Sequence, residues 1–276
     1  MVRRKMLTAL VTVAGLYVLA AAVLALSQRQ MIYHPTTAPT RVLEAWAQAA
    51  GLLPWRNATG QRIGWMHRYP TGPAQGQVLI THGNAGCAVD RAFYVPVLQR
   101  VAALDLFILE YPGYGDRPGS PSERALLAAA EEALGCLASD QPVYLLGESL
   151  GSGVAAYLAG RHPERIAGVL LIAPFDNLTH LAQHHMPLLP VRWLLKDRYP
   201  SDRHLAGYRG PVAVLLAGRD EVVPTRFGRR LYDGYAGPKK LWESPQARHN
   251  EVYDQPARFW GEVISFWRQH SVGLGQ

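Results

Sequence analysis

Ser149 is bracketed by glycines in Gly147-Glu-Ser-Leu-Gly151-Ser-Gly153, with the apolar run PVYLL before it and VAAYLAG after it. A short strand running through a Gly-x-Ser-x-Gly turn into a helix lifts a serine hydroxyll into reach and strains its backbone, the setting of a nucleophile. A glycine-flanked serine in an ordinary turn is the competing reading. A serine hydroxyl attacks poorly unless a base removes its proton, and the base needs an orienting acid. Asp220 follows an apolar run ending near Leu216, and His249 follows a second run around Leu241. In this order His249 would take the Ser149 proton and return it to a leaving group, with Asp220 holding the imidazole tautomer. Taken singly, Asp220 reads equally as a turn cap and His249 as a surface histidine; after those strands and in that order, they read as one site. Glu221 and Asp176 are the alternative acids.

Thr81-His-Gly-Asn-Ala-Gly86 leaves another apolar strand, and its amides are expected to open a helix and face a developing negative oxygen. The backbone N–H groups of Asn84 and Leu150 are therefore the expected oxyanion hole. The same loop could instead be a packing turn. A phosphate loop is excluded because the Lys-Ser/Thr end is missing. Cys87 and Cys136, the two cysteines, make neither a metal cluster nor a disulfide framework and read as separate core thiols. No metal or organic cofactor is expected. His184, His185 and His204 are expected on exposed loops or lining an entrance.

The elements that must position these groups alternate regularly. Strands are expected at 60–69, 77–81, 105–109, 143–146, 169–172, 212–216 and 240–243. Helices are expected at 42–50, 90–100, 121–137, 151–161, 226–235 and 256–270, with Pro121 in a first turn and Glu123 near its positive end. This order implies an α/β fold: a mostly parallel central sheet with helices on both faces. Residues 174–210, with Pro187, Pro190, Pro200 and the Trp193-Leu194-Leu195 run, form the one long departure, a short lid-like excursion.

In these blocks the chain resembles the α/β-hydrolase superfamily, and more narrowly its membrane-anchored, bud-emergence-related branch. The resemblance is carried by His82-Gly-Asn-Ala-Gly86, Tyr111-Pro-Gly-Tyr-Gly115, Pro121-Ser-Glu123, Gly147-Glu-Ser-Leu-Gly151, Ala173-Pro-Phe175, Gly218-Arg-Asp220 with Val223-Pro224, and Arg248-His-Asn250, in order between about Ile32 and Trp267. It implies a catalytic triad of Ser149, Asp220 and His249, with Tyr111 to Gly115 shaping the site's floor. Asp116-Arg-Pro118 departs from the small residue common there and bears on the local pocket shape.

The amino terminus adds a second component. Met1-Val-Arg-Arg-Lys5 precedes residues 6–27, which carry no charged side chain. At about 1.5 Å per residue that run crosses a bilayer core of about 30 Å as a helix. A signal peptide cleaved at Ala25-Leu-Ser27 is the competing reading and would release the rest as a secreted protein. Residues 1–30 are thus expected to be an anchor with a short cytoplasmic tail, and 31–276 the folded domain. Arg3, Arg4 and Lys5 before the run place the amino terminus in the cytoplasm and the domain on the periplasmic side of the inner membrane. With Arg29 they account for four of the net +7 charges, and the +3 left is too little for a nucleic-acid surface. Arg229-Arg230 and Lys239-Lys240 read as solvated faces or weak contacts to anionic lipid.

The expected chemistry is cleavage of carboxylic esters or thioesters through an acyl-enzyme, on a small-molecule or lipid-like acyl substrate, with membrane contact through the amino-terminal helix. An acylaminoacyl or prolyl-type peptidase is the nearest alternative. A non-catalytic anchored binding protein that keeps the fold is the alternative from another class. The oligomeric state is not legible.

Overall fold

Strands built mainly of apolar residues must be covered on both faces, and this chain buries its central strands in that way. In the computed structural model, which describes residues 1–271, the strands are β1 (His34–Pro35), β2 (Leu53–Arg56), β3 (Arg62–His67), β4 (Gln77–Thr81), β5 (Ala85–Gly86), β6 (Asp105–Leu109), β7 (Val143–Glu148), β8 (Ile166–Ile172), β9 (Val212–Ala217) and β10 (Lys239–Ser244). The helices are α1 (Val2–Ile32), α2 (Thr40–Ala49), α3 (Tyr94–Gln99), α4 (Glu123–Gly135), α5 (Leu150–Arg161), α6 (Leu178–His185), α7 (Val191–Leu194), α8 (Ser201–Leu205), α9 (Thr225–Gly234) and α10 (Ala257–His270). Eight strands form one sheet in the order β10-β9-β8-β7-β4-β6-β3-β2. Within it β3 runs antiparallel to β2 and β6, and the other pairings are parallel. Every residue of β4, β6, β7, β8 and β9 is buried.

Alternating side chains feed two apolar layers. Leu79, Phe107, Leu145, Leu171 and Val214 point into one, with α4 and α5. Val78, Ile108, Leu146, Leu170 and Leu215 point into the other, with α3 and α10. Cys87 belongs to the second layer and Cys136 packs against the first, so the sheet separates the two free thiols.

Several sequence expectations need correction. The helix expected over 90–100 is broken into a 3-10 turn at Ala88–Arg91 and α3. Pro96 explains the break, since it lacks an N–H and its ring would clash with the carbonyl of Ala92 in a continuous helix. The Thr81–Gly86 loop does not open a helix; Ala85 and Gly86 pair in parallel with His34 and Pro35. Pro121 lies outside α4, whose cap is Ser122: its hydroxyl accepts the Ala125 N–H at 3.2 Å. The edge strand β2 was not expected from sequence, because Pro54 argues against a strand except at an edge, where it sits.

Residues 174–210 fold as the three short helices α6, α7 and α8. They are tied to the main body by Glu123, whose carboxylate accepts the N–H groups of Arg198 at 2.6 Å and Tyr199 at 3.0 Å. Helix α1 runs without interruption to Ile32. Its early residues are exposed, but Leu24 and Gln28 are buried against the body.

Candidate active site

The end of β7 makes a tight passage into α5. Ser149 takes φ 46° and ψ −113° there, a conformation costly for a residue with a side chain. Its N–H is held by the Ile172 carbonyl at 2.8 Å. The glycines have a steric cause: a Cβ on Gly147 would stand 2.7 Å from the Gly151 carbonyl oxygen, and one on Gly151 would collide with the Thr81 and His82 carbonyls of the neighbouring strand end.

The structure brings Ser149, His249 and Asp220 together. His249 Nε2 lies 3.0 Å from Ser149 Oγ and its Nδ1 lies 2.7 Å from Asp220 Oδ2. All three residues are buried, at 7–9% exposure. The other oxygen of Asp220 accepts the N–H groups of Val222 at 2.9 Å and Val223 at 2.6 Å, which fixes the carboxylate's orientation. The alternative acids are placed elsewhere. Asp176 faces His180 at 2.8 Å and Arg230 at 3.0 Å, and Glu221 is exposed.

Asn84 and Leu150 border the same cavity as Ser149. Among the described residues no other group receives a hydrogen bond from either backbone N–H. Leu150 opens α5, so its N–H is one of the unsatisfied donors at the positive end of that helix. The loop carrying Asn84 is braced on several sides. Tyr111 donates to the His82 carbonyl at 2.9 Å, and Tyr114 donates to the Asn84 carbonyl at 2.7 Å. The His34 N–H reaches the same Asn84 carbonyl at 2.9 Å. Both tyrosine rings pack against the His82 ring, Tyr111 tilted and Tyr114 edge-on, and burial holds His82 neutral with a pKa lowered to about 3. Asp116 pairs with Arg62 and Thr40, away from the cavity lining.

Glu148 and Arg91 went unrecognised in the sequence. The Glu148 carboxylate, 1% exposed, accepts Arg91 Nε at 3.0 Å and, more weakly, the Gly83 N–H at 3.4 Å. The ion pair joins the serine turn to the 3-10 turn, and the Gly83 contact joins it to the Asn84 loop. The available signal was a carboxylate inside a fully apolar strand end, which demands a buried counter-charge.

The cavity beside Ser149, ≈ 260 Å³, is mainly apolar. Phe175, Leu178, Leu181 and Met186 line it from the excursion, and Leu24, Gln28, Met31 and Ile32 line it from α1. His185 lies on its wall with Nε2 2.8 Å from the Val222 carbonyl. His184 packs against Phe227 with tilted rings, and His204 meets Tyr157 edge-on away from the cavity.

A family profile described as alpha/beta hydrolase fold matches residues 76–201. An uncharacterized protein of Mycobacterium tuberculosis is 33% identical over 255 residues, covering 90% of each chain. Lysophosphatidylserine lipase ABHD12 of Macaca fascicularis is 30% identical over 234 residues, 73% of this chain and 58% of that protein. Among solved structures, an esterase of Pyrococcus furiosus superposes with a TM-score of 0.62 at 13% identity, covering 87% of this chain and 98% of the esterase.

Proposed function

The chain belongs to the α/β-hydrolase family, and from that premise we propose that it is a membrane-anchored serine hydrolase cleaving carboxylic esters or thioesters of lipid-like acyl substrates. The observation that carries this is His249, poised between Ser149 Oγ at 3.0 Å and Asp220 at 2.7 Å on the wall of an apolar cavity. As Oγ attacks the acyl carbonyl, its proton passes to His249 Nε2 and the carbonyl electron pair moves onto oxygen. The N–H groups of Asn84 and Leu150 donate to that oxyanion. Collapse breaks the bond to the alcohol or thiol, which leaves with the proton from His249. Water then attacks the acyl-enzyme by the same relay, giving a carboxylic acid and free Ser149. Asp220 keeps the Nδ1 proton in place and offsets the imidazolium charge.

The apolar lining and the likeness to a lysophosphatidylserine lipase support an acyl chain as the bound group. The apolar stretch of α1, long enough to cross a membrane, and the basic residues Arg3, Arg4 and Lys5 before it support an inner-membrane anchor with the catalytic domain on the periplasmic side. In this arrangement the tail and anchor lie within 1–30, the hydrolase domain within 31–276, and 174–210 covers the site.

The test is labelling by a fluorophosphonate. Wild-type protein is expected to label and Ser149→Ala to lose both labelling and ester hydrolysis, by at least about 10³-fold in kcat. Folded wild-type protein that takes no label overturns the proposal.

A further inference from the structure

The helix that carries the protein's most apolar surface also closes the cavity at Ser149. We infer that the last turns of α1, residues 24–32, form a wall of the acyl pocket, and that the substrate is a single-chain amphiphile entering tail-first from the bilayer interface, between α1 and the excursion helices. This deepens the serine-hydrolase reading and rests on it.

Three fastenings hold that end of α1 to the catalytic body. The Gln28 side chain is 3% exposed; its amide donates to the Leu194 carbonyl at 3.2 Å and accepts the Lys196 N–H at 2.7 Å. Arg29 pairs with Asp197 at 3.0 Å. The Ile32 carbonyl, last in the helix, accepts the side-chain amide of Asn84 at 2.8 Å, so the helix end is bonded to the residue offered as an oxyanion donor. A helix that served only as a tether would not bury a glutamine or border the cavity.

The length of α1 sets the depth of the pocket. Residues 6–23 span about 26 Å as a helix, close to the hydrocarbon thickness of a bilayer, and the turn containing Leu24 follows at the interface. Helix α7, bonded to Gln28 through Leu194, carries Trp193 at 76% exposure, and Leu188 just before it is 84% exposed. Tryptophan is favoured at the headgroup level, where its ring is buried and its N–H stays wet. At ≈ 260 Å³ the cavity lies just below the usual range for small-molecule sites, about 300–1,000 Å³, which suits one acyl chain rather than two.

The full chain in lipid nanodiscs is assayed with p-nitrophenyl butanoate and dodecanoate. Leu24→Trp and Met31→Trp, on different turns of the wall, are expected to lower the dodecanoate-to-butanoate ratio of kcat/KM by about tenfold or more. Leu16→Trp, exposed further up the same helix, is expected to leave the ratio as in wild type. Wild-type ratios in both wall variants overturn the inference. Wild-type protein inert toward every ester instead removes the hydrolase reading, and the wall is then decided by a diazirine-bearing fatty acid in the same nanodiscs. Crosslinks within 24–32 that are lost in the Trp variants support the wall, and crosslinks confined to 6–23 overturn it.

Discussion

Buried charge around Ser149 is arranged so that few groups ionise without a partner. His82 is kept neutral by burial, with Nδ1 2.8 Å from the Gly83 carbonyl. Its neighbour Glu110 is also held toward the neutral form: burial above all raises its carboxyl from 4.5 to about 8, although both oxygens accept the Ala88 N–H at 3.0 and 3.2 Å. The unfolded chain releases this proton earlier as pH rises, so the contribution of Glu110 to stability is full below the unfolded pKa of 4.5 and is lost as pH climbs through about 8. Glu110→Gln keeps an acceptor for Ala88 and removes the titration. Denaturation profiles should then show the variant losing less stability than wild type across that window, by up to a few kcal/mol. Parallel profiles would show that Glu110 ionises in the fold as readily as outside it.

Among the elements, the junction between the 3-10 turn and β7 holds the site's two halves in register. Arg91 comes from the turn and Glu148 from the strand, and the same carboxylate reaches Gly83. Arg91→Ala leaves a carboxylate of 1% exposure without its cation, which is expected to cost about 3–5 kcal/mol. Chemical denaturation measures that loss, and a change under about 1 kcal/mol would mean water reaches Glu148 freely. The strands at 77–81 and 105–109 were legible because each holds an apolar run, Val78-Leu-Ile80 and Leu106-Phe-Ile-Leu109, with no proline or glycine inside it. Elements interrupted by proline were not: Pro96 splits one expected helix, and Pro54 hides the edge strand β2. The loop after β4 reads locally as a helix start, but its path is set by the distant segment His34–Pro35.

At the scale of the whole molecule, α1 belongs both to the proposed anchor and to the folded domain. Cleavage after Ser27 would remove Leu24 and leave Gln28 at a free chain end, taking a packed turn from the wall of the Ser149 cavity. The protein recovered from membranes is therefore expected to retain its amino terminus, and intact mass measurement decides this. A membrane-extracted chain beginning at Gln28 would refute it. The sequence by itself determined the mostly parallel sheet with helices on both faces, the Gly147–Gly151 turn, the order of Ser149, Asp220 and His249 along the chain, and the apolar amino-terminal helix. The elements and the turn are encoded in spacing between near neighbours, where side-chain periodicity and glycine sterics act directly, and the order of the three residues follows from which strand each one comes after. Only the tertiary structure decided that Asp220, rather than Asp176 or Glu221, meets His249, that Arg91 neutralises Glu148, and that α1 closes the cavity. Those contacts join residues far apart in the chain, and they exist only once sheet packing has fixed where each strand end and helix end lies.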